Sequence, residues 1–205
     1  MKIELILGRW VTGFSILAGI SACTPAFQGE YDDPNKREIV DDKWNESDAK
    51  KTAEVMVNDA LKKSWLDKYK RMHKGERPVV IVDDVENRTD EHIDTVSLTD
   101  YIQDELINSG EVRFVDKKRR QKILDEIKYQ HGGEVAKSTA KERGRQTGAD
   151  YMMAGAISSS VHTQEGLKTV YYQVNLTLTD LESSEFVWSS KHEIKKRFNR
   201  SGSKW

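Results

Sequence analysis

Residues able to do chemistry are few in this sequence, and their spacing argues against most enzymes. There is one cysteine, Cys23, so neither an intramolecular disulfide nor a cysteine-rich zinc module can form. A nucleophilic hydrolase needs a serine or cysteine within reach of a base, and no G-x-S-x-G turn is present. The histidines stand at 73, 92, 131, 162 and 192. None pairs at i,i+4 and H-E-x-x-H is missing, so a helix-borne zinc site has no support. Neither G-x-G-x-x-G nor a phosphate loop ending in G-K-[ST] occurs. Asp83, Asp84 and Glu86 follow a short apolar run, where strand ends often carry ligand sites. They also read as a solvated strand end beside a turn. His92, within Glu91-His92-Ile93-Asp94, reads as a hydrogen-bonded loop residue rather than a base. No catalytic residue, cofactor or metal is expected.

Cys23 has another use. Lys2 and Arg9 give a basic start, and Val11 to Ala22 is apolar and small. Small residues let a signal peptidase accept the chain in extended form. Ile20-Ser21-Ala22-Cys23 resembles a bacterial lipobox, in which the cysteine is acylated and becomes the new N-terminus. An ordinary secretory signal beside a chance cysteine is the alternative; the sole cysteine standing here favours the lipobox. Each buried CH₂ contributes about 0.8 kcal/mol and a single chain anchors only marginally, so three acyl chains hold firmly. Thr24, where inner-membrane lipoproteins often carry Asp, points to an outer-membrane destination facing the periplasm. The expected signal peptide is residues 1–22.

Residues 23–46 read as a lipidated, disordered tether. Thr24–Glu46 holds two of the three prolines, seven acids and three bases, with no helical or alternating period. Fully stretched it reaches roughly 80 Å; as a coil it averages about 25 Å. The alternative is that part of it, around Tyr31 or Trp44, packs on the domain.

The remainder has to fold. Charged residues make up 33% and apolar ones 37%, yet five Trp and seven Tyr need burial. No run of 18 apolar residues exists, so a spanning helix is not expected. A helix capped by Ser47 or Asp48 carries Ala53, Met56, Val57, Ala60, Leu61, Ser64 and Trp65 at helical spacing, and Gly75 and Pro78 end it. Val79–Val82 reads as a central strand covered on both sides. Asn87-Arg88-Thr89-Asp90 reads as a polar turn. A helix over 95–109 presents Leu98, Ile102 and Leu106, with Gly110 as its C′ residue. Val112, Phe114 and Val115 form a strand, and Asp116 caps a helix carrying Ile123, Leu124 and Ile127. Another helix is expected over 134–147. Strands follow at 151–160, 169–180 and 185–195. In the second, Tyr172, Val174, Leu176 and Leu178 alternate with Gln173, Asn175, Thr177 and Thr179, giving one covered and one wet face.

The order α, β, α, β, α, α, β, β, β predicts an α/β domain of α+β character over 47–198. Its single mixed parallel/antiparallel sheet of four to five strands is packed by helices. A basic tail, 199–205, follows. Trp205 is either a straggler or an aromatic anchor.

Two basic clusters stand out: Lys117-Lys118-Arg119-Arg120, and the six bases against two acids in Glu185–Trp205. Cations at a helix N-terminus oppose its dipole by a few tenths of a kcal/mol each. They read either as a solvated face or as a dock for an acidic protein surface. Nucleic acid is not the expected partner, because the lipobox sends the chain out of the cytosol.

Several segments carry a resemblance: Arg77–Val82, Glu86–Thr89, Glu91–Thr95, Leu106–Gly110, Arg113–Val115, Thr147–Tyr151 with Gly155, and Asp180–Glu182 leading to Val187-Trp188. Together, from about Asp48 to Phe198, they resemble the LpoB family of outer-membrane lipoprotein activators. The resemblance implies a fold like the N-terminal domain of TolB and the periplasmic part of CsgG, and no catalysis by the chain. It implies binding to a regulatory domain of a bifunctional penicillin-binding protein, a peptidoglycan synthase, whose glycosyltransferase and transpeptidase output rises. The best-known members have a long, Pro-rich tether; here it is short and acidic. The positional expectation for partner contact is Asn87, Arg88, Thr89, His92 and Asp94 with Lys117, Lys118, Arg119 and Arg120. The rival class is a CsgG-like subunit of an envelope assembly or secretion complex. It is disfavoured by the single meander, whose last strand is expected to be interrupted at Lys195-Lys196-Arg197.

Overall fold

The structure is a computed structural model that describes residues 33, 36, 41–116, 119–133, 135, 136, 138, 141 and 147–199. The chain divides between Pro34 and Asn35, and the architecture here is that of the second unit. The expected signal peptide, Cys23, Tyr31 and the tail beyond Asn199 lie outside the described residues.

Helix α1 spans Glu46–Leu61 and buries Ala49, Thr52, Ala53, Met56, Val57 and Ala60 along one stripe. Its N-cap is Asn45, not Ser47 or Asp48. Asn45 Oδ1 accepts the Asp48 N–H and the Asp48 carboxylate accepts the Asn45 N–H, a reciprocal capping box. The helical period continues past Leu61, but the helix does not. It breaks at Lys62–Lys63 and restarts as α2, Ser64–Met72. The Trp65 indole N–H donates to the Ala60 carbonyl at 2.7 Å, supplying a partner at the end of α1.

Strand β1, Val79–Val82, is buried along its whole length, as expected of a strand covered on both faces. β2 is a two-residue strand, Glu86–Asn87, whose second residue is the first of the segment read from sequence as a turn. α3 spans Thr95–Asn108, capped by Asp94, and Gly110 closes it at φ 68°. β3 is Arg113–Phe114, and α4 is Arg120–Gln130. Asp116 takes the Arg119 N–H at 3.0 Å, one turn ahead of the helix it was expected to cap. Of the helix expected over 134–147, the described residues 135, 136, 138, 141 and 147 are not helical.

The last three strands, β4 (Tyr151–Gln164), β5 (Leu167–Asp180) and β6 (Phe186–Asn199), form an antiparallel meander of 14 residues each. The sheet order is β3-β1-β4-β5-β6, with β2 pairing β4 beyond the end of β1. β1 runs parallel to both β3 and β4. The mixed sheet therefore has six strands, the short β2 being the addition. β6 is not interrupted at Lys195-Lys196-Arg197. Its pairing with β5 continues to Asn199, because Lys196 points inward to a carboxylate.

α1 and α3 pack on one sheet face. Met56, Val57, Leu98, Ile102 and Leu106 meet Val80, Met153, Ile157, Tyr172, Val174, Leu176 and Leu178 there. Gly155 lets β4 approach β5: a Cβ on it would sit 2.0 Å from the Asn175 carbonyl oxygen. Among the described residues no helix is long and apolar enough to cross a membrane.

Candidate functional site

The carboxyl ends of the neighbouring parallel strands β1 and β3 point the same way. The loop following β2 and the turn opening α4 therefore lie toward one end of the sheet. These two segments hold the residues expected to meet a partner.

The first is built from its own side chains. Asn87 Oδ1 accepts the Thr89 N–H at 2.9 Å and the Thr89 hydroxyl at 2.8 Å. Asn87 Nδ2 donates to the Glu91 carbonyl at 2.8 Å, and the Glu91 N–H donates to Thr89 Oγ1 at 3.1 Å. The Arg88 N–H donates to the Ile157 carbonyl, stitching the loop to β4. Asp94 accepts the Val96 and Ser97 N–H groups, both at 3.1 Å, and the Ser97 hydroxyl at 2.5 Å. Those bonds hold its carboxyl below the usual range. Asn87, Thr89 and Asp94 thus shape the loop. Arg88, Asp90 and His92 are exposed, as are Asn87 and Asp94. Arg88 pairs with Glu86 at 2.6 Å, which lowers the Glu86 carboxyl and raises the Arg88 guanidinium.

Sequence reasoning missed what holds this loop to the sheet. The Tyr172 hydroxyl, on β5, lies 2.8 Å from both Glu91 carboxylate oxygens. Burial, then the Glu91 carboxylate, push that phenol far above its ordinary range. The same hydroxyl is 3.2 Å from the Asp42 carbonyl, and Trp44 stands edge-on to the Tyr172 ring at 5.6 Å. The end of the segment read as tether therefore rests on the sheet, the arrangement the Trp44 alternative describes.

In the second segment, Lys117 and Lys118 lie outside the described residues. The Arg119 side chain is exposed and its Nε pairs with the Asp116 carboxylate at 3.2 Å. Arg120 borders a cleft of about 270 Å³ with Phe114, Val115, Asp116, Ile123 and Thr147. α4 buries none of its residues, and Ile123, Leu124 and Tyr129 are exposed. The cleft is largely apolar, with one cation, Arg120, and one carboxylate, Asp116, at its edge.

At the other end of the sheet lies a second concavity, about 430 Å³, between α2 and the β5–β6 turn. Its floor is structural. The Asp150 carboxylate accepts the Tyr69 hydroxyl at 2.9 Å and the Val79 N–H at 2.6 Å. Burial, then Asp150, raise the Tyr69 phenol to about 12. His73 stacks on Tyr69 with 3.9 Å between ring centroids.

Of the acidic trio considered for a cation, Glu86 is engaged by Arg88 and Asp83 accepts the Asp84 N–H at 3.0 Å. Among the described residues no group of three His, Cys, Asp or Glu side chains converges.

A family model described as peptidoglycan-synthase activator LpoB matches residues 48–194. Among solved structures, the LpoB C-terminal domain from Salmonella enterica is 20% identical, with a TM-score of 0.42 over 73% of this chain and 99% of that one. The NMR structure of Escherichia coli LpoB is 18% identical, with a TM-score of 0.41 over 94% and 96%. Lipoprotein GNA1162 from Neisseria meningitidis is 14% identical, with a TM-score of 0.38 over 62% and 87%. No curated protein matches the chain.

Proposed function

Because the chain belongs to the LpoB family of peptidoglycan-synthase activators, we propose that it binds a bifunctional penicillin-binding protein and raises its glycosyltransferase and transpeptidase output. The observation that carries this reading is the family match itself, which runs from α1 into β6. The chain acts as a ligand and not as a catalyst. It shifts a synthase equilibrium only by binding the active form more tightly. A tenfold shift requires about 1.4 kcal/mol of differential affinity.

The contact surface is the exposed part of the Asn87–Thr95 loop together with Lys117–Arg120. Arg88, His92 and Asp90 supply polar contacts, and the cleft beside Arg120 supplies an apolar seat. Acylation of Cys23 holds the protein at the outer membrane with the domain in the periplasm. Replacing Cys23 by Ser should abolish palmitate incorporation and release the protein from the membrane fraction.

The test uses full-length acylated protein in detergent micelles with a purified bifunctional penicillin-binding protein. A severalfold rise in lipid II polymerisation that saturates with added protein supports the reading. An unchanged rate, with no complex by light scattering at micromolar concentrations, overturns it.

A further inference from the structure

The segment Asp42–Trp44 is fastened to the sheet at four points, and one of these is shared with the candidate loop. Asp42 forms an ion pair with Lys168 of β5. The Lys43 carbonyl accepts from the buried Lys196 ammonium of β6. Trp44 packs edge-on against Tyr172. The Asp42 carbonyl lies 3.2 Å from the Tyr172 hydroxyl, which also faces the Glu91 carboxylate. Asn45 then caps α1, so the strap ends at a fixed helix terminus.

We propose that the strap Asp42–Trp44 sets the conformation of the Asn87–Thr95 loop through Tyr172, so that release of the strap loosens the loop. The physical reason is a single phenolic proton placed between two acceptors. Tyr172 is fully buried, and its neighbours are the strap on one side and the loop on the other. With the strap docked, Trp44 and Asp42 restrict the ring and keep its hydroxyl at Glu91. With the strap released, water reaches that hydroxyl and the Glu91 carboxylate, and the loop loses its anchor to β5. What remains to it are its internal bonds, the Arg88–Ile157 backbone bond and the Ile93 side chain buried in the core.

The strap precedes the domain in the chain and follows Cys23. Any pull transmitted along the chain from an anchored Cys23 therefore reaches the strap before any element of the sheet. Peeling off its three residues also adds roughly 10 Å of reach. The consequence for activation rests on the reading that this loop meets the synthase; the coupling itself does not.

Linkage makes the coupling reciprocal: whatever the strap does to the loop, the loop does to the strap. Hydrogen exchange by mass spectrometry on the full-length protein in detergent micelles tests both directions. Trp44→Ala and Tyr172→Phe should each speed exchange in peptides covering 87–95 by about tenfold. Glu91→Gln should speed exchange at 42–46 comparably. Peptides within α3 report global loosening. If Trp44→Ala also speeds exchange there, the milder Tyr172→Phe and Glu91→Gln variants decide. Unchanged loop exchange in Tyr172→Phe, together with unchanged strap exchange in Glu91→Gln, overturns the proposal. Synthase stimulation is measured on the same variants. A loosened loop with undiminished stimulation keeps the coupling and removes the loop from the partner surface.

Discussion

The Lys196 ammonium, 3% exposed, lies 2.6 Å from the carboxylate of Asp48, which stands near the start of α1. The pair joins the last strand to the first helix. Asp48 also accepts the Asn45 N–H, so one carboxylate serves the capping box and the ion pair together. Breaking a buried pair by removing one partner costs about 3–5 kcal/mol, because the other charge is left uncompensated. Lys196→Ala should therefore lower unfolding free energy by that amount in urea titrations. Lys195→Ala, one residue away and exposed, should change it by less than about 0.5 kcal/mol. Equal effects would show that the pair contributes nothing particular.

Gly155 faces Leu176 across β4 and β5. A methyl group there would stand 2.0 Å from the Asn175 carbonyl oxygen and 2.6 Å from Leu176 Cδ2. The first neighbour is backbone and cannot swing away, so the strands must part. Overpacking of this kind costs about 1–3 kcal/mol or more. Gly155→Ala should fall in that range, measured by chemical denaturation. A variant as stable as the parent would mean that the meander yields locally without loss.

Alkaline pH acts on Tyr69 and Tyr172. Both phenols are raised in the folded state, Tyr69 to about 12, by burial and then by a carboxylate acceptor. A raised acid binds its proton more tightly when folded than when unfolded. Its contribution is fully present below the unfolded value of about 10 and is lost as pH rises through the folded value. Stability should therefore decline from about pH 10 to about pH 12. Tyr69→Phe should be less stable at neutral pH, since it drops the bond to Asp150, yet show a shallower alkaline decline. Denaturation midpoints collected from pH 8 to 12 separate the two effects. Asp59 and Asp180 act at the other end. Asp59 is lowered mainly by Lys63, and Asp180 mainly by the Ser183 backbone N–H. Their contribution is present above about pH 4 and is lost on acidification.

Much of this architecture is legible before any coordinates. Val79–Val82 is apolar without alternation, and it is an interior strand between β3 and β4. Tyr172, Val174, Leu176 and Leu178 alternate with polar residues, and they line the core. Other features leave no local trace. Glu86–Asn87 pairs through backbone groups alone, so its side chains give no strand signal. The break at Lys62–Lys63 keeps the apolar period in phase, so periodicity cannot see it. Lys196 reads as an interruption because its partner, Asp48, is remote in sequence. In the candidate loop, polar richness has a structural cause of its own. Asn87, Thr89 and Asp94 are polar because the loop is built from their bonds, and Arg88 and His92 are what they present. Glu91 holds the loop to β5, and nothing in its neighbourhood of the chain announces Tyr172.

The basic cluster offers the sharpest test of the proposed surface. Arg119 and Arg120 stand at the start of α4, where the helix dipole disfavours cations, and Lys117 and Lys118 precede them in the sequence. No side chain caps that helix, and it buries none of its residues. Such a helix is poorly fitted for its own stability, and an anionic partner would relieve both defects. Lys118→Glu combined with Arg119→Glu replaces two cations by two anions beside Asp116. The change favours the isolated helix through its dipole, so the domain should remain folded by circular dichroism. Synthase stimulation should fall at least tenfold at about 50 mM salt, chiefly through slower association, and the gap should narrow as salt screens the charges. A double reversal that stimulates normally at low salt would remove α4 from the interface. The exposed Arg88, Asp90 and His92 of the loop would then be left as the proposed contact surface.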